Sequence, residues 1–113
     1  MNIALLGFGV VSSGVYEWCR GREDLHVRRV LVRSEKPQIA DIATHDFEDI
    51  LHDEGIDIVA EVMGGLHPAY EYVTAALKAG KHVVTANKAL IAAYYQELTE
   101  LARAQGKALL CTA

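Results

Sequence analysis

Near its start the chain reads Gly7-Phe8-Gly9-Val10-Val11-Ser12-Ser13-Gly14, directly after the apolar run Ile3 to Leu6. A glycine turn between a strand and a helix leaves backbone N–H groups free at the helix start, where a pyrophosphate can be held without any side chain. In that fingerprint the first glycine permits the tight turn, the second lets backbone approach the phosphates, and the third lets helix and strand pack closely. Gly7 and Gly9 fill the first two places. Ser12 stands in the third, with Gly14 half a turn later to relieve crowding. A tight structural turn would use the same glycines, so the position at the head of a strand-helix unit is what favours a dinucleotide site.

Three further places carry chemistry. An NAD site usually has Asp or Glu at the end of the second strand to accept from the adenosine ribose hydroxyls. Here Arg33 and Ser34 come first, followed by Glu35 and Lys36. Arginine cannot accept those bonds but pairs with a 2′-phosphate, so NADP is the preferred cofactor and NAD the second; a solvated strand-end charge is the plain alternative. Gly64-Gly65 after the third strand and Thr85-Ala86-Asn87-Lys88 after the fourth fall at the sheet edge where such folds bind ligands. The Gly pair suits a ribose or nicotinamide and a plain turn equally. Asn87 can orient the nicotinamide end, and Lys88 can move a proton or face a developing negative oxygen, although most lysines are solvated.

Positioning these residues calls for alternating strands and helices. Val11, Val15, Trp18 and Cys19 recur at helical spacing; Val27 to Val32 is the second strand, and Glu35 to Thr44 is a connection without a periodic signal. Phe47, Ile50 and Leu51 mark a short helix capped by Asp46, and Ile56 to Glu61 the third strand. Pro68 opens a helix that buries Ala69, Tyr72, Val73, Ala76 and Leu77 and stops at Gly80. His82 to Thr85 is the fourth strand, Ala89 or Leu90 to Gln105 a long helix closed by Gly106, and Ala108 to Cys111 a fifth strand. The expectation is an α/β fold, a Rossmann-type doubly wound parallel sheet truncated after about the fifth strand, with residues 1–113 as one dinucleotide-binding domain and more chain after it.

Bulk properties narrow the class. A chain of 113 residues, 51% hydrophobic and 23% charged, has room for one core. Its formal charge of −4, with Lys and Arg scattered, gives no reason to expect nucleic acid or an anionic membrane as partner. No apolar run reaches the roughly 20 residues of a membrane span, and the start lacks a charged leader pattern, so a cytoplasmic setting is expected. Cys19 and Cys111 sit in apolar contexts and read as buried thiols. His26, His45 and His52 show no metal spacing, His82 reads as structural, and His67 lies where it can approach a ligand.

Taken together, the Gly7 to Val15 turn, Glu61-Val62-Met63-Gly64-Gly65 with Pro68-Ala69, and the long block Ala76 to Leu90 resemble the amino-terminal nucleotide-binding region of homoserine dehydrogenase. The resemblance implies NAD(P)-dependent interconversion of L-homoserine and L-aspartate 4-semialdehyde, a step toward threonine, methionine and isoleucine, in a homo-oligomeric parent. It implies that Gly7, Phe8, Gly9, Val10 and Val11 line the pyrophosphate, Arg33 and Ser34 the adenosine side, and Met63, Gly64, Thr85 and Asn87 the nicotinamide side. Lys88 would be the catalytic lysine, also near the cofactor. Ser12 and Cys111-Thr112-Ala113 depart from the family pattern. The substrate-binding and dimerising parts are expected beyond residue 113, which makes the chain alone inactive. Glucose-fructose oxidoreductase relatives share the Gly-Lys-His-Val entry but continue to Glu-Lys-Pro, and a dinucleotide-sensing module would need no Lys88; both stand as alternatives.

Overall fold

The computed structural model describes residues 1–111. Six parallel strands form one sheet: β1 (Asn2–Leu6), β2 (His26–Leu31), β3 (Ala43–Thr44), β4 (Ile58–Glu61), β5 (His82–Thr85) and β6 (Leu109–Cys111). Helices α1 (Val10–Arg20), α2 (Glu48–Leu51), α3 (Ala69–Lys78) and α4 (Lys88–Gln105) make the crossovers, with a single 3-10 turn at Pro37–Ile39. The strand order is β3-β2-β1-β4-β5-β6. The chain winds outward from β1, returns to lay β4 against the other side of β1, and winds outward again, which is the Rossmann order with its crevice between β1 and β4.

The continuous apolar run of β1 is explained by burial on both faces. Ile3 and Leu5 pack with Cys19, Val30, Val32 and Ile39 on the α1 side, and Ala4 and Leu6 join Val59, Val73, Leu77, Val83 and Leu98 on the α3–α4 side. Each Val, Leu or Ile among them contributes about 1.5–3 kcal/mol when fully buried. The buried stripe of α3 is Ala69, Val73, Ala76 and Leu77, as the spacing predicts, with Tyr72 half-buried and stacked on Phe47 at 4.2 Å between ring centroids.

Several expectations need correction. A sixth strand, β3, sits inside the stretch that carried no periodic signal; with two residues, pairing Val30 to Ala43 and Leu31 to Thr44, it is too short to show one. Of the apolar stripe expected on α1 only Cys19 is buried, whereas Val11 and Trp18 are exposed and the Trp18 ring instead lies under the Arg22 guanidinium, 4.3 Å from its centroid. Gly14 relieves nothing, because a Cβ there would meet no atom within 4 Å. Cys111 is exposed on the edge strand; only Cys19 is a buried thiol, its pKa raised by that burial. Asp46 is not the N-cap of the short helix, which is Phe47; from one residue earlier its Oδ1 accepts from the Glu48 N–H at 2.9 Å.

Other signals hold. His82 is structural: its Nδ1 accepts from the Ala108 N–H at 3.0 Å, tying β5 to the start of β6. Gly106 ends α4 in the left-handed region at φ 67° and Gly80 follows α3 at φ 84°. Among the described residues no helix is long and apolar enough to cross a membrane. Two glycines give opposite outcomes in chemical denaturation. Gly14→Ala, mid-helix with open space, is expected to raise stability by about 0.5–1 kcal/mol, and Gly106→Ala, at positive φ, to lower it by about 1–2 kcal/mol. Midpoints that move the other way would refute this reading of the two turns.

Candidate functional site

The carboxyl ends of β1, β2 and β4 meet at one edge, and there the first turn opens. Gly7 takes φ 95°, and its N–H donates to the Leu31 carbonyl at 2.8 Å, pinning the turn to the end of β2. A Cβ on Gly7 would lie 3.4 Å from Met63 Cγ, so glycine also lets the turn after β4 close in. Gly9 is the N-cap of α1 and no side chain caps this helix. The helical ladder begins with Ser13 N–H donating to the Gly9 carbonyl at 2.9 Å, which leaves the N–H groups of Val10, Val11 and Ser12 without intrahelical partners. A Cβ at Gly9 would meet nothing within 4 Å, so the approach to these donors is open. Such a donor set fits a pyrophosphate. Ser12 is fully buried and its Oγ finds no hydrogen-bond partner among the described residues, a cost that buried hydroxyls ordinarily avoid.

A cleft of about 390 Å³ runs from this turn along the end of β2. Gly7, Phe8, Gly9, Arg33, Ser34 and Met63 of the expected site line it; Val10 and Val11 stand at the helix start, and Gly64, Thr85, Asn87 and Lys88 are not among its walls. Leu31, Val32, Lys36, His45, Val62, Pro68 and Tyr72 complete the lining. In sequence His45 shows only as a histidine without metal spacing. It is brought to the cleft by β3, the strand too short to be seen in the sequence. Among the described residues no three His, Cys, Asp or Glu side chains are grouped to hold a metal ion.

The second half of the edge is organised by Glu61, the last residue of β4 and fully buried. Thr85, its register partner on β5, donates its hydroxyl to Glu61 Oε1 at 2.6 Å. Glu61 Oε2 accepts from Met63 N–H at 2.9 Å, Gly64 N–H at 3.3 Å and Asn87 Nδ2 at 3.4 Å. Asn87 Nδ2 also donates to the Gly65 carbonyl at 2.5 Å, and its Oδ1 accepts from Leu90 N–H at 3.1 Å as the N-cap of α4. Thr85 and Asn87 are thus buried and engaged by protein groups; they shape the edge from beneath. Lys88, the first residue of α4, is carried exposed at the rim. A glutamate closing a strand reads in sequence as a solvated charge, and only the polar Thr85 and Asn87 beside it hint otherwise.

His67 does not stand free to meet a ligand. Its Nδ1 lies 2.8 Å from Glu71, whose pKa is lowered by that contact, and its Nε2 is 3.4 Å from the Tyr94 hydroxyl. Tyr70 and Tyr94 pack ring on ring at 4.3 Å, and the Tyr70 hydroxyl donates to Glu97, which raises the phenol's pKa. This cluster forms at a break in α4, where Tyr94 takes φ −130°, ψ 22°. At the far edge of the sheet, the buried Lys81 ammonium donates to the carbonyls of Asp53 and Ile56 at 2.7 and 3.1 Å, and burial lowers its pKa.

Comparison with known proteins places this edge in a family. The family model described as "Homoserine dehydrogenase, NAD binding domain" matches residues 7–112. Homoserine dehydrogenase of Lactococcus lactis is 40% identical over 96% of this chain, and that of Synechocystis sp. 42% identical over 100% of it. The chain spans 29% of each of these relatives. A crystal structure of S. aureus homoserine dehydrogenase superposes with a TM-score of 0.89 and 38% identity, covering 100% of this chain and 32% of that one. The matches favour this family over the glucose-fructose oxidoreductase and sensing-module alternatives. The chain belongs to the homoserine dehydrogenase NAD-binding domain family.

Proposed function

We propose that residues 1–113 are the dinucleotide-binding domain of an enzyme that interconverts L-homoserine and L-aspartate 4-semialdehyde, with NADP preferred over NAD. The observation that carries this reading is the family match across residues 7–112, which includes both the glycine turn and the Asn87-Lys88 corner. In this reading the N–H groups of Val10 and Val11 hold the pyrophosphate, with Gly7, Phe8 and Gly9 forming the turn against it. Arg33 and Ser34 take the adenosine side, and Met63 and Gly64 the nicotinamide side. Thr85 and Asn87 hold the Gly64-Gly65 turn and the start of α4 in place, through the Glu61 carboxylate.

Bound nicotinamide would supply the acceptor for the hydride leaving homoserine C4, and the donor in reverse. Lys88 is the proton-transfer group. As a neutral amine it takes the hydroxyl proton when the alcohol is oxidised; as an ammonium it returns a proton to the aldehyde oxygen on reduction. Its exposed place at the rim suits a substrate held largely by groups outside these 113 residues. Carboxylates that bind homoserine and a dimerising sheet belong to those further parts, and the isolated chain binds dinucleotide without turnover.

Two outcomes test this. In fluorescence titrations NADPH should bind more tightly than NADH, and Arg33→Asp should weaken NADPH by about tenfold or more, the loss of a charge-assisted pair, while changing NADH far less; equal affinities or tighter NADH would sink the preference. In the enzyme carrying this domain, Lys88→Ala should lower homoserine-dependent NADP reduction by about 10²–10⁴ while NADPH affinity stays within about twofold. Undiminished turnover in that variant would remove Lys88 from the chemistry, and a folded enzyme with no homoserine activity would overturn the assignment.

A further inference from the structure

We propose that His45 reads the 2′ position of the adenosine ribose, accepting from a hydroxyl when neutral and donating to a phosphate when protonated, so that pH tunes the choice between NAD and NADP. The inference rests on the dinucleotide reading of the cleft. His45 lines that cleft together with Arg33, Ser34 and Lys36. Its Nδ1 lies 2.9 Å from the Val32 carbonyl oxygen. A carbonyl only accepts, so Nδ1 keeps its hydrogen, and Nε2 is the atom whose proton comes and goes. The anchor is rigid, because Val32 N–H itself donates to the Thr44 carbonyl at 2.9 Å, extending the pairing of β2 with β3. The tautomer is therefore fixed by the sheet.

Neutral Nε2 offers the acceptor that an Asp or Glu at the end of the second strand otherwise supplies to a ribose hydroxyl. Arg33 cannot offer it. Protonated Nε2 is a third cationic donor beside Arg33 and Lys36, which suits a 2′-phosphate. Other charges bear on it. The Glu35 carboxylate lies 3.8 Å from Nε2, with its side chain 92% exposed and free to turn to water when a phosphate arrives. Arg33 and Lys36, in the connection after β2, line the same cleft. Asp46 and Asp49, the next carboxylates along the chain, are engaged by Glu48 N–H and the Thr44 hydroxyl, and from α3 Tyr72 lines the same cleft.

The test compares wild type with His45→Gln, which keeps a hydrogen-bonding amide but cannot charge. NADPH and NADH are titrated against each at about pH 6 and about pH 8, the range over which imidazole changes charge. The NADPH preference of the wild type should fall from low to high pH by about fivefold more than that of His45→Gln. Titration of the nucleotide's own phosphate enters both proteins alike and cancels. The same pH dependence in both proteins would overturn the proposal. NADH binding more tightly throughout would defeat the preference assigned to Arg33 and leave His45 to be judged on the difference between the two proteins; if neither nucleotide binds, both readings fall. Nitrogen-15 NMR of the His45 ring in wild type answers the same question without a substitution. NADP should raise its titration midpoint and NAD lower it, and a midpoint indifferent to which nucleotide is bound would equally refute the proposal.

Discussion

The edge of this sheet depends on one buried charge. A carboxylate removed from water is costly unless donors replace the lost solvent, and Glu61 is fully buried at the end of a central strand. Its four donors come from three places in the chain: the turn at Met63 and Gly64, the hydroxyl of Thr85 on β5, and the amide of Asn87. Each is needed to offset the burial, so none is free to move independently. Asn87 passes the constraint on, because the side chain that donates to Glu61 and Gly65 also caps α4. The start of α4, and Lys88 with it, is set by a carboxylate that never reaches the surface.

The other half of the cleft is built from donors. Uncapped N–H groups at the start of α1, the helix dipole behind them, and Arg33, Lys36 and His45 along the end of β2 make a locally positive trough in a chain whose formal charge is −4. Among the described residues Arg33 and Lys36 form no ion pair, while His45 Nε2 lies 3.8 Å from the exposed Glu35 carboxylate. The Arg28–Asp53 and Arg22–Asp24 pairs lie away from this edge.

Sequence carried the frame because the frame is periodic. The run Ile3 to Leu6, the stripe Ala69, Val73, Ala76 and Leu77, and the stops at Gly80 and Gly106 each follow from a repeat or from a positive φ. What escaped was aperiodic or depended on a neighbour. β3 is two residues long, and with it His45 was invisible as a cleft residue. Trp18 has helical spacing but lies on the outer side of α1, where a cation stacks on it. Glu61 shows no sign of burial until β5 brings Thr85 opposite. The Asn87-Lys88 corner was legible by position, but not the division of labour in which Asn87 is spent on the protein and Lys88 is left to the solvent side.

The break at Tyr94 makes α4 mechanically two rods. Lys88 to Ala93 follow the Asn87 cap, and the longer piece after Tyr94 follows the Gly106 turn and β6. A rigid helix of this length would act as a lever, turning any tilt at the outer strand into a displacement at its other end. With a joint part way along, strain arriving from β6 can be taken up in the Tyr70–Tyr94 contact before it reaches the rim. The two pieces thus have separate anchors, the Asn87 cap for the one that carries Lys88 and the Gly106 turn for the other.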